Sequence, residues 1–152
     1  MQNLKINELI INKLNDLHLT ISTCESMTGG AIASYLVLVE HASDSFLGSL
    51  VTYSKQAKVK LAGVDSQADA ISSICAQQMA LGCKKTFKSD IAISVTGNAS
   101  GDNPMAYVCI VLFDKIYDLK YISTYKDSQN VISQCVAFCL NKLWELIKDL
   151  KK

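Results

Sequence analysis

The chain has 152 residues, of which 49% are hydrophobic and 19% are charged, and its formal net charge is +1. This length and apolar content predict a single globular domain over residues 1–152 and exclude a disordered or fibrous chain. The nearly neutral charge argues against a nucleic-acid partner, and the lack of a long apolar stretch argues against a signal peptide or a membrane span. We therefore expect a cytoplasmic protein without a membrane partner.

The six cysteines form no Cys-x-x-Cys pair, and most lie within apolar runs. This placement predicts reduced thiols that serve as small core residues in the cytoplasm. Cys135 and Cys139 are one helical turn apart, but both histidines are far from them in sequence, so we expect no metal site. All basic residues are lysines, so any phosphate must be held by lysine, hydroxyls or backbone N–H groups.

The pattern of apolar residues predicts alternating helices and strands. A helix over 5–17 precedes a buried strand over 19–24, a small-residue turn over 25–30 and an apolar helix over 31–39. The later predicted elements are a strand over 46–53, a helix over 55–61 ended by Gly63, a helix over 72–87, a strand over 90–95, a polar loop over 98–103, two antiparallel strands over 106–113 and 116–123 joined around Asp114-Lys115, and a helix over 128–150. This order indicates an α/β fold in which helices cover both faces of a mixed sheet.

Three polar clusters follow predicted strands: residues 25–30, Tyr53 with Lys58, and Thr96-Gly97. In open α/β sheets ligands bind beyond the carboxyl ends of the strands, so these clusters are expected to converge. Ser26 lies at the turn before a helix, where free N–H groups favour a developing oxyanion. A lysine with a lowered pKa is a known base for such a serine, which makes Lys58 its candidate partner and Tyr53 a candidate proton relay.

The same residues also fit a purely structural interpretation. Ser26, Thr28 and the glycines are common helix-capping residues, and lysines such as Lys58 usually lie at the solvent surface. Tyr53 and Thr96-Gly97 are equally typical of strand aromatics and strand ends. Spacing alone leaves this interpretation open.

Longer motifs resemble the CinA C-terminal domain family. That family's Glu-Ser-x-Thr-Gly-Gly stands at Glu25–Gly30, and its strand-and-helix block with Tyr-Ser-x-x-x-Lys stands at Phe46–Val64. Its Ala-Val-Ser is similar to Ala70–Ser72, and the strand before its glycine-rich loop is similar to Ser94–Gly97. The resemblance covers nearly the whole chain and implies a three-layer α/β/α sandwich with a mixed, mostly parallel sheet.

The resemblance also implies an activity. Family members include stand-alone amidohydrolases that convert nicotinamide mononucleotide to nicotinic acid mononucleotide and ammonia in pyridine-nucleotide recycling. It implies that Ser26 is the nucleophile, that Lys58 and Tyr53 are its acid/base partners, and that the enzyme needs no metal or other cofactor and forms a homo-oligomer. Surrounding residues are expected to contact the nucleotide substrate: Glu25, Thr28, Gly29, Gly30, Thr96 and Gly97.

Two stretches differ from the family pattern. The loop that is normally glycine-rich is shortened over residues 98–105, and two arginines of the family's last helix are replaced by Ser128 and Ile132. Lys126 is therefore the candidate phosphate ligand. These differences leave two alternatives open: a degenerate family member that binds a nucleotide or a protein without turnover, and an amidase for another small carboxamide.

Overall fold

The computed structural model describes residues 2–152, with side chains described from residue 6 onward. Five helices and five strands make up the fold. In chain order they are α1 Gln2–Leu17, β1 Ile21–Glu25, α2 Ala31–Val37, β2 Phe46–Val51, α3 Lys55–Ala62, α4 Ser73–Phe87, β3 Ile91–Asn98, β4 Met105–Leu112, β5 Lys115–Ile122 and α5 Ser128–Ile147, with a 3-10 turn at Ala42–Asp44 after α2.

The strands form one mixed sheet in the order β2-β1-β3-β4-β5. β1 is parallel to both of its neighbours, β2 and β3, whereas β4 is antiparallel to β3 and β5. Four of the five strands therefore run in the same direction. The adjacent carboxyl ends of β1 and β2 bring the residues that follow Glu25 and Val51 to the same edge of the sheet.

Helices cover both faces of this sheet, which confirms the predicted three-layer sandwich. α1, α2 and α5 pack on one face, where Ile10, Leu36 and Leu140 contact inward-facing strand residues such as Ile93 and Ile110. α3 and α4 cover the other face. Alternate strand residues point to opposite faces, so each internal strand contributes to both cores.

Local signals explain the ends of α3 and α4. Ser54 precedes α3, and its hydroxyl accepts a hydrogen bond from the N–H of Ala57 at 3.0 Å. Gly63 ends this helix in the left-handed region, with φ 70°. Ser72 caps α4 in the same manner, accepting from the N–H of Cys75. These boundaries agree with the predicted ones within one residue.

The region after residue 95 differs from the prediction. Thr96 and Gly97 do not end β3 but lie within it, because β4 continues alongside and pairs with them through Tyr107 and Ala106. Similarly, the β4–β5 turn is Phe113-Asp114 rather than Asp114-Lys115, since Lys115 already pairs with Leu112. Tertiary pairing therefore overrides the local composition at both places.

Candidate active site

Ser26 and Lys58 meet beyond the carboxyl ends of β1 and β2. Lys58 Nζ lies 2.8 Å from Ser26 Oγ, and the two residues are 2% and 5% exposed, respectively. The backbone N–H of Ser26 donates to the carbonyl of Val95 at 2.9 Å, which anchors the serine to β3. The structure thus brings together the predicted nucleophile and base, in hydrogen-bond contact.

Two backbone carbonyls hold the Lys58 amine from the other side. Nζ donates to the carbonyl of Thr52 at 2.8 Å and to that of Tyr53 at 3.2 Å. A neutral amine has two N–H groups and one lone pair. With both N–H groups on carbonyls, the lone pair faces the Ser26 hydroxyl and is positioned to take its proton.

The surroundings of Lys58 favour this neutral form. Burial lowers the pKa of the Lys58 amine below its usual value, and the nearby positive charge of Lys55 lowers it further. Cys75 and Cys24 act in the opposite direction and raise the pKa, but burial is the largest contribution.

Tyr53 lies in the wall of the same cavity, but its side chain is 75% exposed. The atom of Tyr53 that contacts Lys58 is its backbone carbonyl oxygen, not its hydroxyl. Its position in the site is therefore established by the main chain, and a proton relay through its hydroxyl stays a prediction.

Glu25 and Thr28, which the sequence analysis places in contact with substrate, are buried beneath the serine turn and do not line the cavity. Glu25 is fully buried, and its carboxylate accepts hydrogen bonds from the N–H groups of Ile32 at 2.9 Å and Ala33 at 3.0 Å. The Thr28 hydroxyl also donates to this carboxylate, at 2.8 Å. Glu25 thereby satisfies the free N–H groups at the start of α2 and has no face toward the cavity.

The predicted substrate contacts also include Gly29 and Gly30. Both have positive φ angles, 60° and 96°, which favour glycine, and neither lines the cavity that contains Ser26. The N–H of Gly29 is occupied by the carbonyl of Ser26 at 3.0 Å. Across residues 6–152, the N–H groups of Met27 and Thr28 donate to no protein acceptor. The N–H groups available to an oxyanion are therefore those of Met27 and Thr28, which directly follow the serine.

Thr96 and Gly97 form part of the cavity wall, as the sequence predicts. The Thr96 hydroxyl is already engaged, since it donates to the carbonyl of Ala70 at 2.5 Å. This bond holds the segment before α4, whose Ala70 and Ile71 also line the cavity. A side chain at Gly97 would meet the Met105 carbonyl, since a Cβ atom there would lie 2.1 Å from that oxygen. The Thr96 hydroxyl therefore positions the wall that Ala70 and Ile71 form, and Gly97 leaves room for the Met105 carbonyl.

The cavity has a volume of about 460 Å³ and opens beside Ser26. Ser128 and Ile132, the positions where the family resemblance leads us to expect arginines, lie in its wall. Lys126, the predicted phosphate ligand, is exposed and is not among the lining residues. Instead, the wall contains Lys55, which sequence analysis missed.

The signal for Lys55 was its spacing: it precedes Lys58 by three residues, so both project from one face of α3. A larger cavity of about 700 Å³ lies at the opposite end of β3, between α4 and the β4–β5 turn. Its lining includes Ser89 and three lysines, but the Ser89 hydroxyl is hydrogen-bonded to that of Ser22 and to no lysine amine among the described residues.

Within 2–152, no three histidine, cysteine, aspartate or glutamate side chains are grouped closely enough to hold a metal ion. None of the helices described above combines the length and the apolar character that crossing a membrane requires.

Similar proteins place this chain in a family. Residues 3–147 match the sequence profile of the CinA C-terminal domain. The chain is 33% identical to Protein MG115 of Mycoplasma genitalium over 147 residues, covering 90% of this chain and 91% of that protein. It is 38% identical to a CinA-like protein of Chlorobaculum tepidum over 122 residues, covering 74% of this chain but only 29% of that longer protein.

Crystal structures of CinA superfamily proteins have the same fold. A crystal structure of a competence-damaged protein (CinA) superfamily member from Klebsiella pneumoniae superposes with a TM-score of 0.92 at 22% identity, covering 99% of this chain and all of that one. A CinA superfamily structure from Escherichia coli gives a TM-score of 0.89 at 25% identity, covering 95% of this chain and 90% of that one. The chain therefore belongs to the CinA C-terminal domain family.

Proposed function

We propose that this protein is an amidohydrolase that converts nicotinamide mononucleotide to nicotinic acid mononucleotide and ammonia. The observation that carries the proposal is the 2.8 Å contact between Ser26 Oγ and Lys58 Nζ in the wall of a cavity large enough for a small ligand. The buried lysine with a lowered pKa supports hydrolytic chemistry, because a lower pKa increases the share of the neutral, proton-accepting amine at a given pH. The choice of nucleotide rests on the family resemblance.

The first half of the reaction uses the lone pair of neutral Lys58. As Ser26 Oγ forms a bond to the carboxamide carbon, its proton passes to Lys58 Nζ and the carbonyl electrons move to oxygen. The free N–H groups of Met27 and Thr28 are suited to stabilise that oxyanion. The C–N bond then breaks, and the Lys58 ammonium returns its proton to the departing nitrogen, which leaves as ammonia.

The second half clears the acyl-enzyme. A water molecule gives a proton to Lys58 and attacks the acyl carbon, and the carbon–Oγ bond breaks. Ser26 recovers its proton from Lys58, and nicotinic acid mononucleotide is released. One lysine thereby serves as base and acid in both halves, and the three polar contacts of its amine keep it in place throughout.

The test is ammonia release by the purified protein with nicotinamide mononucleotide. Ser26→Ala and Lys58→Ala are each expected to lower kcat by about a thousandfold or more, since each removes one member of a unit that acts together. Ser43→Ala and Lys60→Ala are matched controls, because both side chains are exposed and neither lines the cavity. Full turnover by Ser26→Ala would contradict the mechanism.

A second candidate substrate is another small carboxamide. The uncharged Ser128 and Ile132 in the cavity wall favour it, since they stand where the family has arginines. A panel of amides would separate the two, as turnover of an uncharged amide in preference to the mononucleotide supports this alternative. Nucleotide binding without any turnover would instead support a binding protein.

We also propose that the protein works in the cytoplasm as a homo-oligomer. The six free, buried cysteines support a reducing compartment. Light scattering of the purified protein would test self-association, and a mass equal to one chain at all concentrations would contradict it.

A further inference from the structure

The charge of the cavity wall points to the class of ligand that it accepts. Two lysines, Lys55 and Lys58, line the cavity, and no aspartate or glutamate lies among the lining residues. A cavity with positive charge and no carboxylate favours an anionic ligand. The question is which of the two lysines is available to contact it.

Lys58 is fully engaged. Its amine contacts the Ser26 hydroxyl and the carbonyls of Thr52 and Tyr53, which uses every N–H group or lone pair that it has. It also needs to be neutral to act as a base. It therefore has no contact left for an anionic group of the ligand.

Lys55, in contrast, is available to contact a ligand. It is the first residue of α3, its side chain is half-buried, and it forms neither a salt bridge nor a side-chain hydrogen bond with any residue that the structure describes with its side chain. Residues three apart on a helix share a face, so the Lys55 ammonium lies on the same side of α3 as Lys58. Its positive charge interacts with Lys58 and helps to lower the pKa of that amine.

The opposite wall offers no competing cation. Ser128 and Ile132 are uncharged, and the neighbouring Asp127 is occupied, since it accepts hydrogen bonds from the backbone and side-chain amides of Asn130 at 3.0 Å. Lys126 lies outside the cavity wall. Among the lining residues, Lys55 is thus the one cation that is not already bound.

We infer that Lys55 binds the phosphate monoester of the carboxamide substrate and so makes the enzyme specific for an anionic nucleotide. The carboxamide part of this inference rests on the proposed function. A lysine ammonium binds phosphate as a point charge, without the paired hydrogen bonds of a guanidinium. Lys55 would thereby replace the family arginines from a different wall of the cavity.

The test compares two substrates that differ only in the phosphate, nicotinamide mononucleotide and nicotinamide riboside. Lys55→Gln is expected to raise KM for the mononucleotide by about 10- to 100-fold, the usual effect of losing a charged hydrogen bond, and to leave KM for the riboside unchanged. Lys60→Gln, an exposed lysine of the same helix, is the control and is expected to change neither. An equal rise in KM for both substrates, or no rise in KM for either, would overturn the inference without contradicting the proposed amidase activity.

A binding measurement separates this inference from the proposed function. If the wild type releases no ammonia, calorimetric titration with nicotinic acid mononucleotide and with ribose 5-phosphate still measures phosphate binding. Binding that weakens about tenfold or more in Lys55→Gln and also weakens with added salt supports the inference without the activity. Equal binding by the wild type and Lys55→Gln, or no binding by either, refutes it.

Discussion

At the scale of single residues, the protonation of Lys58 controls the proposed chemistry. Burial lowers the pKa of its amine, and two carbonyls direct its lone pair at Ser26. The lysine is active only when neutral. Below its pKa, the ammonium donates to Ser26 Oγ and has no capacity to accept a proton.

This predicts the sign of the pH dependence. As the pH rises through the pKa of Lys58, kcat/KM is expected to rise, and the midpoint is expected to lie below the usual pKa of lysine. Lys55→Gln removes a neighbouring positive charge that lowers this pKa, so its midpoint is expected at higher pH. Rate profiles of the wild type, Lys55→Gln and Lys60→Gln check the shift, using the riboside as substrate so that phosphate binding does not interfere.

Lys60→Gln is the control for these rate profiles. Lys60 is exposed at the end of α3 and does not contribute to the pKa of Lys58, so its profile should overlay the wild type. A midpoint in Lys55→Gln that stays in place or moves to lower pH would show that the two lysines do not interact electrostatically.

At the scale of elements, the contact between α3 and α4 holds Lys58 in place. Gly82 of α4 packs against the end of α3, where an added Cβ would lie 1.7 Å from the backbone oxygen of Ala62. The packed backbone of an adjacent helix cannot shift by itself, so an added methyl group would force the two helices apart. This close approach is why the middle of α4 contains a glycine despite its poor helix propensity.

Gly82→Ala therefore sets two effects against each other. Helix propensity favours alanine by about 1 kcal/mol. Overpacking typically lowers the free energy of unfolding by about 1–3 kcal/mol, and by more when the added atom clashes with backbone. We expect a net loss of unfolding free energy together with a lower kcat, because α3 carries Lys58. Urea denaturation and ammonia release measure the two quantities.

Lys85→Ala is the matched control, since Lys85 is an exposed residue of the same helix. This substitution changes helix propensity without adding an atom at the contact between α3 and α4, so we expect the free energy of unfolding to change by less than about 0.5 kcal/mol. A Gly82→Ala variant that is more stable than the wild type would show that α3 and α4 tolerate the added methyl group.

At the scale of the whole molecule, the two cores enclose all six cysteines as free thiols. Desolvation raises the pKa of Cys24 and of Cys109 to about 12 and that of Cys83 to about 11. Thiols react as thiolates, so burial protects these groups both by excluding reagents and by keeping them protonated.

We therefore expect the native protein to resist Ellman's reagent at neutral pH. Unfolding in guanidinium chloride should release all six thiols for titration, and dithiothreitol should leave the native melting temperature unchanged. One thiol that reacts rapidly in the native state would show that part of the core opens to solvent.

The sequence predicted those features of fold and site that depend on neighbouring residues. The apolar spacing of α1 and α5, the capping residues Ser54 and Gly63, and the alternation of helices and strands are local signals, and the structure agrees with them. The motifs at Glu25–Gly30 and Phe46–Val64, which resemble the family, predicted Ser26 and Lys58 as partners, and the structure places their side chains in contact.

Side-chain direction and strand pairing required the tertiary structure. Glu25 turns inward because the start of α2 presents two free N–H groups, and Lys55 rather than Lys126 reaches the cavity because of how α3 is rotated against the sheet. Likewise, β3 continues through Thr96 because β4 pairs with it. The sequence by itself determined the order of elements, through short-range patterns of apolar and capping residues, and its family motifs indicated the candidate pair. The contents of the cavity wall depend on contacts between distant segments, and only the packed structure decides them.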